Sequence, residues 1–346
     1  MPTETVPGVG LRADRPGAAA ALAALKGAPV TRPFTLHLRH REDLESLLPR
    51  PPAGLPAWTR GRLPGPWTLV LPRPWCALPE AWAWRWPAVG LRWPDHPLWR
   101  RLAPRFPAPL LLSSVNRHGE EPAVGPEALA AWRRGHPEVA APPALEDPDA
   151  AGRPSRVLRF APLPRLLRGE ADPSELRPGL RVLVVCTGNI CRSPLGAALL
   201  EDAVARSWGV QREELPALGW RIASAGTAAL PGAPASEHSR VVAHELGLDL
   251  EGHRSRPLED ALEEPWDLVL AMTLRHLLGL PPELPAERFD PEGRDIPDPF
   301  GGGLTDYRQM AASLQEAAAA RLRRWCSWEE ARLSATAPGP GPDPRP

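Results

Sequence analysis

Two kinds of hydrophobic pattern divide this chain of 346 residues. In the first half, short apolar runs sit between proline and glycine breaks: residues 34–40 (FTLHLRH), 67–71 (WTLVL), 89–93 (VGLRW) and 109–115 (PLLLSSV). Runs of this kind predict strands; residues 14–26 and 126–134 predict helices. Residues 141–154 (APPALEDPDAAGRP) read as a loop, and 169–180 (GEADPSELRPGL) read as an interdomain linker. The second half alternates more cleanly. Strand RVLVVC (181–186) leads into a helix from about Pro194, and WRIASAG (220–226) into a helix near 235–247. Strand WDLVLAM (266–272) precedes a further helix, and a long alanine- and arginine-rich helix covers about 304–334. Continuous apolar strands alternating with helices predict a parallel sheet covered on both faces. The end of the chain, 336–346 (TAPGPGPDPRP), has no means of burying apolar surface and is expected to be disordered.

Composition fits two soluble α/β domains: 43% hydrophobic and 24% charged residues over a length that exceeds one ordinary core. The formal net charge of +0 gives no general pull toward nucleic acid or a membrane surface. The start of the chain (MPTETVPGVG) does not read as a signal peptide, and no apolar run is long enough to span a bilayer, so a cytoplasmic location is expected. Four cysteines (76, 186, 191, 326) are too sparse for a disulfide scaffold and suit a reducing compartment. Nine of the 14 tryptophans precede residue 133, several beside proline. They are expected to fill an irregular core rather than to stack on bases. Among 41 basic residues only Lys26 is lysine, and asparagine occurs only at 116 and 189. A skew toward arginine, alanine and proline reflects genome composition, so the places where the rare residues persist draw the eye.

One of those places is VLVVCTGNICRSPLGAALLED, residues 182–202. An apolar strand ends at Cys186, a short loop follows, and Pro194 suits the start of a helix. A loop wrapped onto a helix N-terminus aims several backbone N–H groups at one point and adds the positive end of the helix dipole. Such a cradle binds a tetrahedral oxyanion and stabilises a thiolate at its base. Arg192 can fork two phosphate oxygens, which lysine could not. Gly188 permits close backbone approach or a positive φ, Asn189 can pin the loop, and Ser193 can donate to the thiolate. A bare Cys-x5-Arg spacing is a weak signal; the whole string, after an apolar strand and before a helix, is a stronger one. A second element is DIPDPFGGG, 295–303, which holds Asp298 between prolines in a loop. Cleaving a phosphate ester needs an acid for the leaving oxygen and then a base for water, and one carboxyl can serve both.

CTGNICRSP followed by DPF, with SAGT (224–227), HRSRPL (253–258) and LVLAMT (268–273), resembles the low-molecular-weight protein-tyrosine-phosphatase family over about 180–325. The resemblance implies a flavodoxin-like, doubly wound, four-stranded parallel sheet over 180–335. It implies Cys186 as nucleophile, Arg192 as phosphate clamp and Asp298 as general acid and base. Thr187, Gly188, Asn189, Ile190, Cys191 and Ser193 form the loop, and Ser224 and His253 support it. By the same resemblance Cys191 can trap an oxidised Cys186 as a reversible disulfide. The implied substrate is a phosphorylated protein. No cofactor is implied, and no His/Cys/Asp cluster has metal-ligand spacing. The DPFGG run followed by Tyr307 resembles a bacterial branch that includes protein-arginine phosphatases. That branch carries threonine where Ile190 stands, which favours phosphotyrosine over phosphoarginine. A related arsenate-reducing branch needs a downstream cysteine pair, whereas only Cys326 lies downstream here.

In the first half PTETV (2–6), Lys26, PFTLHL (33–38), LPGPWTLVLP (63–72), VGLRWPDHP (89–97), SSVN (113–116) and GRPSRV (152–157) occur in order. Over about 1–175 the set resembles the YrdC-like threonylcarbamoyl-AMP synthase family, which implies a twisted α/β sheet domain. It also implies a nucleotide and threonine site lined by Thr5, Lys26, Arg92, Ser114 and Asn116, with ATP and Mg as cofactors if the domain is active. RNA would then be a partner of this half, which the neutral charge does nothing to support. The family's Lys-x-Arg reads Lys26-Gly27-Ala28 here, the tyrosine expected after PTETV is Pro7, and its serine-threonine pair reads Ser155-Arg156. The expectation is therefore a degenerate synthase-like domain fused to an intact phosphatase. The alternative is an L-threonylcarbamoyl-AMP synthase for tRNA modification whose phosphatase domain is accessory.

Overall fold

A computed structural model of the chain describes residues 1–31, 33–80, 82, 86–139, 152–160 and 164–327. The expected loop falls largely on 140–151, and the expected disordered tail lies wholly beyond 327; those stretches are outside the described residues. The chain divides into two compact units, residues 1–51 with 59–176 and residues 52–58 with the chain from Arg177 onward.

The first unit runs β1 (Gly8–Arg12), α1 (Ala18–Lys26), β2 (Thr35–His37) and α2 (Arg41–Leu47). After the short helix α3 (Leu55–Arg60), most of which belongs to the second unit, come β3 (Trp67–Pro72), β4 (Ala88–Arg92), α4 (Pro97–Leu102) and β5 (Leu110–Ser114). It continues with α5 (Pro126–Arg134), β6 (Arg156–Phe160) and β7 (Pro164–Arg168). The seven strands form one mixed sheet in the order β1-β5-β2-β4-β3-β6-β7. Helix α1 starts four residues later than the sequence suggests because Gly17 takes a left-handed φ of 72° just before it. Three strands escaped the sequence reading. β1 (GVGLR) carries two glycines; β6 and β7 are rich in arginine, whose charge conceals the alternation. Trp67, Trp82, Trp86 and Trp99 are buried, so these tryptophans fill the core as expected.

The second unit runs β8 (Arg181–Cys186), α6 (Arg192–Trp208), β9 (Arg221–Gly226), α7 (Glu237–Glu245) and α8 (Leu258–Leu262). It ends with β10 (Leu268–Ala271), α9 (Leu274–Leu278), β11 (Ala286–Arg288) and α10 (Leu304–Trp325). All four strands are parallel, in the order β11-β10-β8-β9. The chain starts inside the sheet and steps first to one side and then to the other. In such doubly wound sheets a crevice opens at the carboxyl ends of the strands beside the first one. Val182, Leu183, Val184 and Val185 are fully buried, which explains why β8 reads as an unbroken apolar run. The fourth strand, β11, has only three residues (AER), too few for a periodicity. Helix α10 is described to Trp325, and the rest of its expected span lies outside the described residues from 328 onward.

Glu201 on α6 carries a pH-dependent penalty. Burial pushes its carboxyl up to about 7, with Arg212 opposing the shift and Glu213 adding to it. A carboxyl whose folded value lies above its unfolded one contributes stability at low pH that is lost as pH rises through the folded value. Glu201→Gln is therefore expected to gain stability relative to the natural chain between about pH 5 and pH 8, on the order of 1–2 kcal/mol. Thermal melting of both proteins at the two pH values checks this; an equal difference at both would refute it.

Candidate active site

The carboxyl end of β8 and the start of α6 enclose a loop of five residues, 187–191. Helix α6 begins at Arg192, earlier than Pro194, so the proline sits in the first turn, where backbone N–H groups have no helical partner. Cys186 is buried at the base of the loop, 1% exposed. Its Sγ accepts the backbone N–H of Asn189 at 3.3 Å and lies 3.1 Å from Ser193 Oγ.

Asn189 organises the loop. Among the described residues it alone, apart from glycines, has a positive φ, 53°, in a region asparagine tolerates. Its Nδ2 donates to Ser193 Oγ (2.9 Å) and Ser224 Oγ (2.8 Å), and its Oδ1 accepts the Arg256 N–H (2.9 Å). Its carbonyl lies 2.7 Å from His253 Nε2, and because a carbonyl only accepts, that nitrogen carries a proton. Burial lowers the affinity of His253 for a second proton; the Asn189 carbonyl opposes that and Arg254 adds to it. Asn189, Ser193, Ser224 and His253 are thus brought together as the sequence suggested. Gly188 differs from expectation: its φ is not left-handed, and an added Cβ would meet only Ile190 at an ordinary 3.6 Å. The left-handed turn falls one residue later. The glycine that close approach requires is Gly226, where a Cβ would lie 2.5 Å from the Thr187 carbonyl.

Arg192 is 4% exposed, donates from Nη2 to Asp298 Oδ2 at 2.5 Å, and leaves its buried Nε without a partner. Asp298 is half exposed and accepts the Phe300 N–H at 3.2 Å through its other oxygen. Above the loop, Thr187, Arg192, Thr227, Thr273, His276 and Asp298 line much of a pocket of about 470 Å³. Cys191 faces another way: its Sγ meets Tyr307 Oη at 3.2 Å and Ser236 Oγ at 3.4 Å. Burial pushes the Tyr307 hydroxyl up, and its bond to Cys191 adds to this. Cys186 and Cys191 are both free thiols.

His276 was missed by the sequence reading. It lies three residues beyond the LVLAMT string, and only its position in the fold places it at the pocket. Ile190, singled out as a substrate discriminator, is half-buried and does not line the pocket.

The five residues expected at a nucleotide site in the first unit fall into two groups. Lys26 donates to the carbonyls of Ser114 (2.6 Å) and Asn116 and to Asn116 Oδ1. Ser114 Oγ also donates to Asn116 Oδ1, at 2.6 Å. Arg92 donates to Glu4 Oε1 (2.9 Å) and Thr5 Oγ1 (2.6 Å). An ammonium has three protons, and three protein oxygens take those of Lys26. Both cations thus meet protein acceptors, while the buried Nε of Arg92, like that of Arg192, has no partner. Arg168, unnoticed in the sequence, clamps Ser155 through its carbonyl (2.8 Å) and hydroxyl (2.9 Å). Among the described residues no group of three or more His, Cys, Asp and Glu could hold a metal, and no helix is long and apolar enough to cross a membrane.

Residues 181–326 match the family described as low molecular weight phosphotyrosine protein phosphatase, and residues 1–168 match the Sua5/YciO/YrdC family, described as telomere recombination. The low-molecular-weight protein-tyrosine-phosphatase Etp of Escherichia coli K12 is 35% identical over 153 residues, 41% of this chain and 95% of Etp. A protein-arginine-phosphatase of Geobacillus stearothermophilus is 37% identical over 150 residues, 39% of this chain and 88% of the relative. Among solved structures, the YwlE arginine phosphatase from Geobacillus stearothermophilus aligns at 31% identity over 46% of this chain and 99% of that one, with a TM-score of 0.37.

Proposed function

Since the chain belongs to the low-molecular-weight protein-tyrosine-phosphatase family through residues 181–326, we propose that it hydrolyses phosphorylated protein side chains through a phosphocysteine intermediate. The Cys186 thiolate attacks phosphorus as the bond to the substrate's side-chain oxygen or nitrogen breaks, and Asp298 gives its proton to the leaving atom. Water then attacks the phosphocysteine, Asp298 takes a proton from it, and the S–P bond breaks to release phosphate. Arg192 holds the phosphoryl oxygens throughout. Every step uses this chain's own groups and needs no metal. The observation that carries the reading is the buried Nε of Arg192, left without a partner beside a loop in which the Asn189 N–H and the Ser193 hydroxyl meet the Cys186 sulfur.

A macromolecular substrate is supported by the surface around the pocket. Leu230, Leu274, Leu278 and Phe300 are exposed large apolar side chains on the segments that line it. A protein that inserts a phosphorylated side chain would lay its neighbouring residues there. Phosphotyrosine and phosphoarginine both satisfy the scheme; the family resemblance at Ile190, and not a place in the pocket lining, favours the first. We place the first unit in a non-synthase role, supported by the internal pairing of Lys26 and Arg92 and by Ala28. We assign it residues 1–175, and the phosphatase residues 180–335.

The test assays the full chain on matched phosphotyrosine and phosphoarginine peptides, and separately for pyrophosphate release from ATP with threonine and bicarbonate. The expected result is peptide dephosphorylation, faster on phosphotyrosine, and no threonine-dependent pyrophosphate. Synthase turnover without peptide hydrolysis would reverse the assignment.

A further inference from the structure

His276 is 8% exposed, and both its ring nitrogens face hydroxyl groups of the pocket wall. Nδ1 lies 2.7 Å from Thr273 Oγ1, and Nε2 lies 2.9 Å from Thr187 Oγ1. Thr273 Oγ1 also accepts the backbone N–H of His276 at 3.2 Å, as the N-cap of α9. A hydroxyl has one proton to give, and a neutral imidazole has one donor and one acceptor nitrogen. A hydroxyl oxygen can accept two bonds, so two orders satisfy these contacts; in one of them Thr273 gives its proton to Nδ1. Nε2 then carries the ring proton and donates it to Thr187 Oγ1. The hydrogen of Thr187 is left to point away from the ring, and Thr187 is exposed on the wall that also bears Arg192 and Asp298.

We propose that His276 is a positioning residue for the phosphatase site, fixing the Thr187 hydroxyl as a donor aimed at the tetrahedral oxyanion held above Cys186. The surroundings favour the neutral ring this order needs. Burial lowers the proton affinity of His276 most; Arg192 and Arg275 lower it further, while Asp298 and Asp295 raise it. A neutral ring in this tautomer makes the direction of the chain definite: backbone N–H to Thr273, Thr273 to Nδ1, Nε2–H to Thr187, and Thr187 to the ligand. A protonated ring would still donate to Thr187, so the donor survives the arrival of a dianion. Thr187 directly follows the nucleophile, so this contact differs from those of the N–H cradle and of Arg192.

The inference rests on the phosphatase reading, and the experiment separates the two. Full-length protein, His276→Ala, His276→Gln, Thr187→Val and the His276→Ala/Thr187→Val double variant are compared for aryl phosphate turnover, inhibition by inorganic phosphate and melting temperature. His276→Ala and Thr187→Val should each weaken phosphate binding about tenfold, the size expected for one hydrogen bond to a charged group. The double variant should be no weaker than either single one, because both remove the same contact. His276→Gln, whose amide can donate to Thr187, should bind phosphate within about threefold of the natural chain. Imidazole ¹⁵N shifts should show the proton of His276 on Nε2. Natural phosphate affinity in Thr187→Val, additive losses in the double variant, or a proton on Nδ1 would each overturn the proposal. Loss of melting temperature in His276→Ala with unchanged phosphate affinity would mark a purely structural histidine and overturn it as well. Should His276→Ala fail to fold, Thr187→Val and His276→Gln decide the matter. If the natural chain hydrolyses nothing, the phosphatase reading fails, while phosphate-induced thermal shifts still test the Thr187 contact.

Discussion

Cys186→Ser is expected to lower aryl phosphate hydrolysis by at least about 10⁴-fold while leaving inorganic phosphate bound. The two halves of this expectation rest on different parts of the site. Turnover needs a thiolate; the Asn189 N–H meets the sulfur at 3.3 Å and the Ser193 hydroxyl lies 3.1 Å from it. A serine hydroxyl in the same cradle does not ionise near neutral pH, and the groups that meet Cys186 Sγ, the Asn189 N–H and the Ser193 hydroxyl, are not bases that could take its proton. Binding needs only the loop N–H groups, the dipole of α6 and the Arg192 guanidinium, all of which the substitution leaves in place. Serine can accept the same Asn189 N–H, so the loop keeps its shape. Millimolar phosphate should therefore raise the melting temperature of Cys186→Ser as it does that of the natural chain. A variant that lost phosphate binding together with turnover would show that Cys186 shapes the loop, and the nucleophile assignment would lose its support.

How much of this site was legible in the sequence depended on how local each contact is. Cys186, Asn189, Arg192 and Ser193 lie within one turn of chain, and a strand that is buried on both faces announces itself by apolar content alone. Ser224 and His253 reach the loop from other segments, through the Asn189 side-chain amide and carbonyl respectively. They were found only because their strings resemble a family pattern. His276 has no such string. Its contact with Thr187 spans 89 positions, and a lone histidine on a five-residue helix carries no signal of its own. A positive φ was one of two uses open to Gly188; the fold gives it to Asn189, whose amide binds Ser193 and Ser224.

In the first unit the sequence misled in a different way. Arginine-rich β6 and β7 give no strand signal because charge hides their alternation, although Leu158 and Phe160 are buried. The rarity of Lys26 and Asn116 pointed toward a ligand site. In the structure the Lys26 ammonium meets the carbonyl and the Oδ1 of Asn116, acceptors that a buried ammonium needs. Rare residues can persist for burial as readily as for catalysis.

Asp298→Ala is expected to slow cleavage of substrates with poor leaving groups by about 10²–10³-fold and to affect good leaving groups far less. In the structure Asp298 Oδ2 is bonded to Arg192 Nη2 at 2.5 Å, so the proposed acid and the proposed clamp hold each other. A phosphoryl group entering the loop offers Arg192 two oxygens in a fork, for which Nη2 and the unpartnered Nε are suited. Binding would exchange one partner for another and release the Asp298 carboxyl toward the leaving atom. Asp298 is half exposed and lies between Pro297 and Pro299, which limit the backbone freedom of the turn without burying the carboxyl. Two consequences separate this arrangement from a merely structural ion pair. The rate of Asp298→Ala should depend steeply on leaving-group basicity, because an alkoxide, a phenolate or a guanidine nitrogen departs without its proton. Inorganic phosphate should bind the variant several-fold more tightly, because Arg192 no longer has an internal competitor. The measurement is kcat/KM across a series of aryl and alkyl phosphates, with phosphate inhibition alongside. A uniform loss across the series, with phosphate affinity unchanged or weakened, would mean that Asp298 only positions Arg192 and that the leaving-group proton comes from elsewhere.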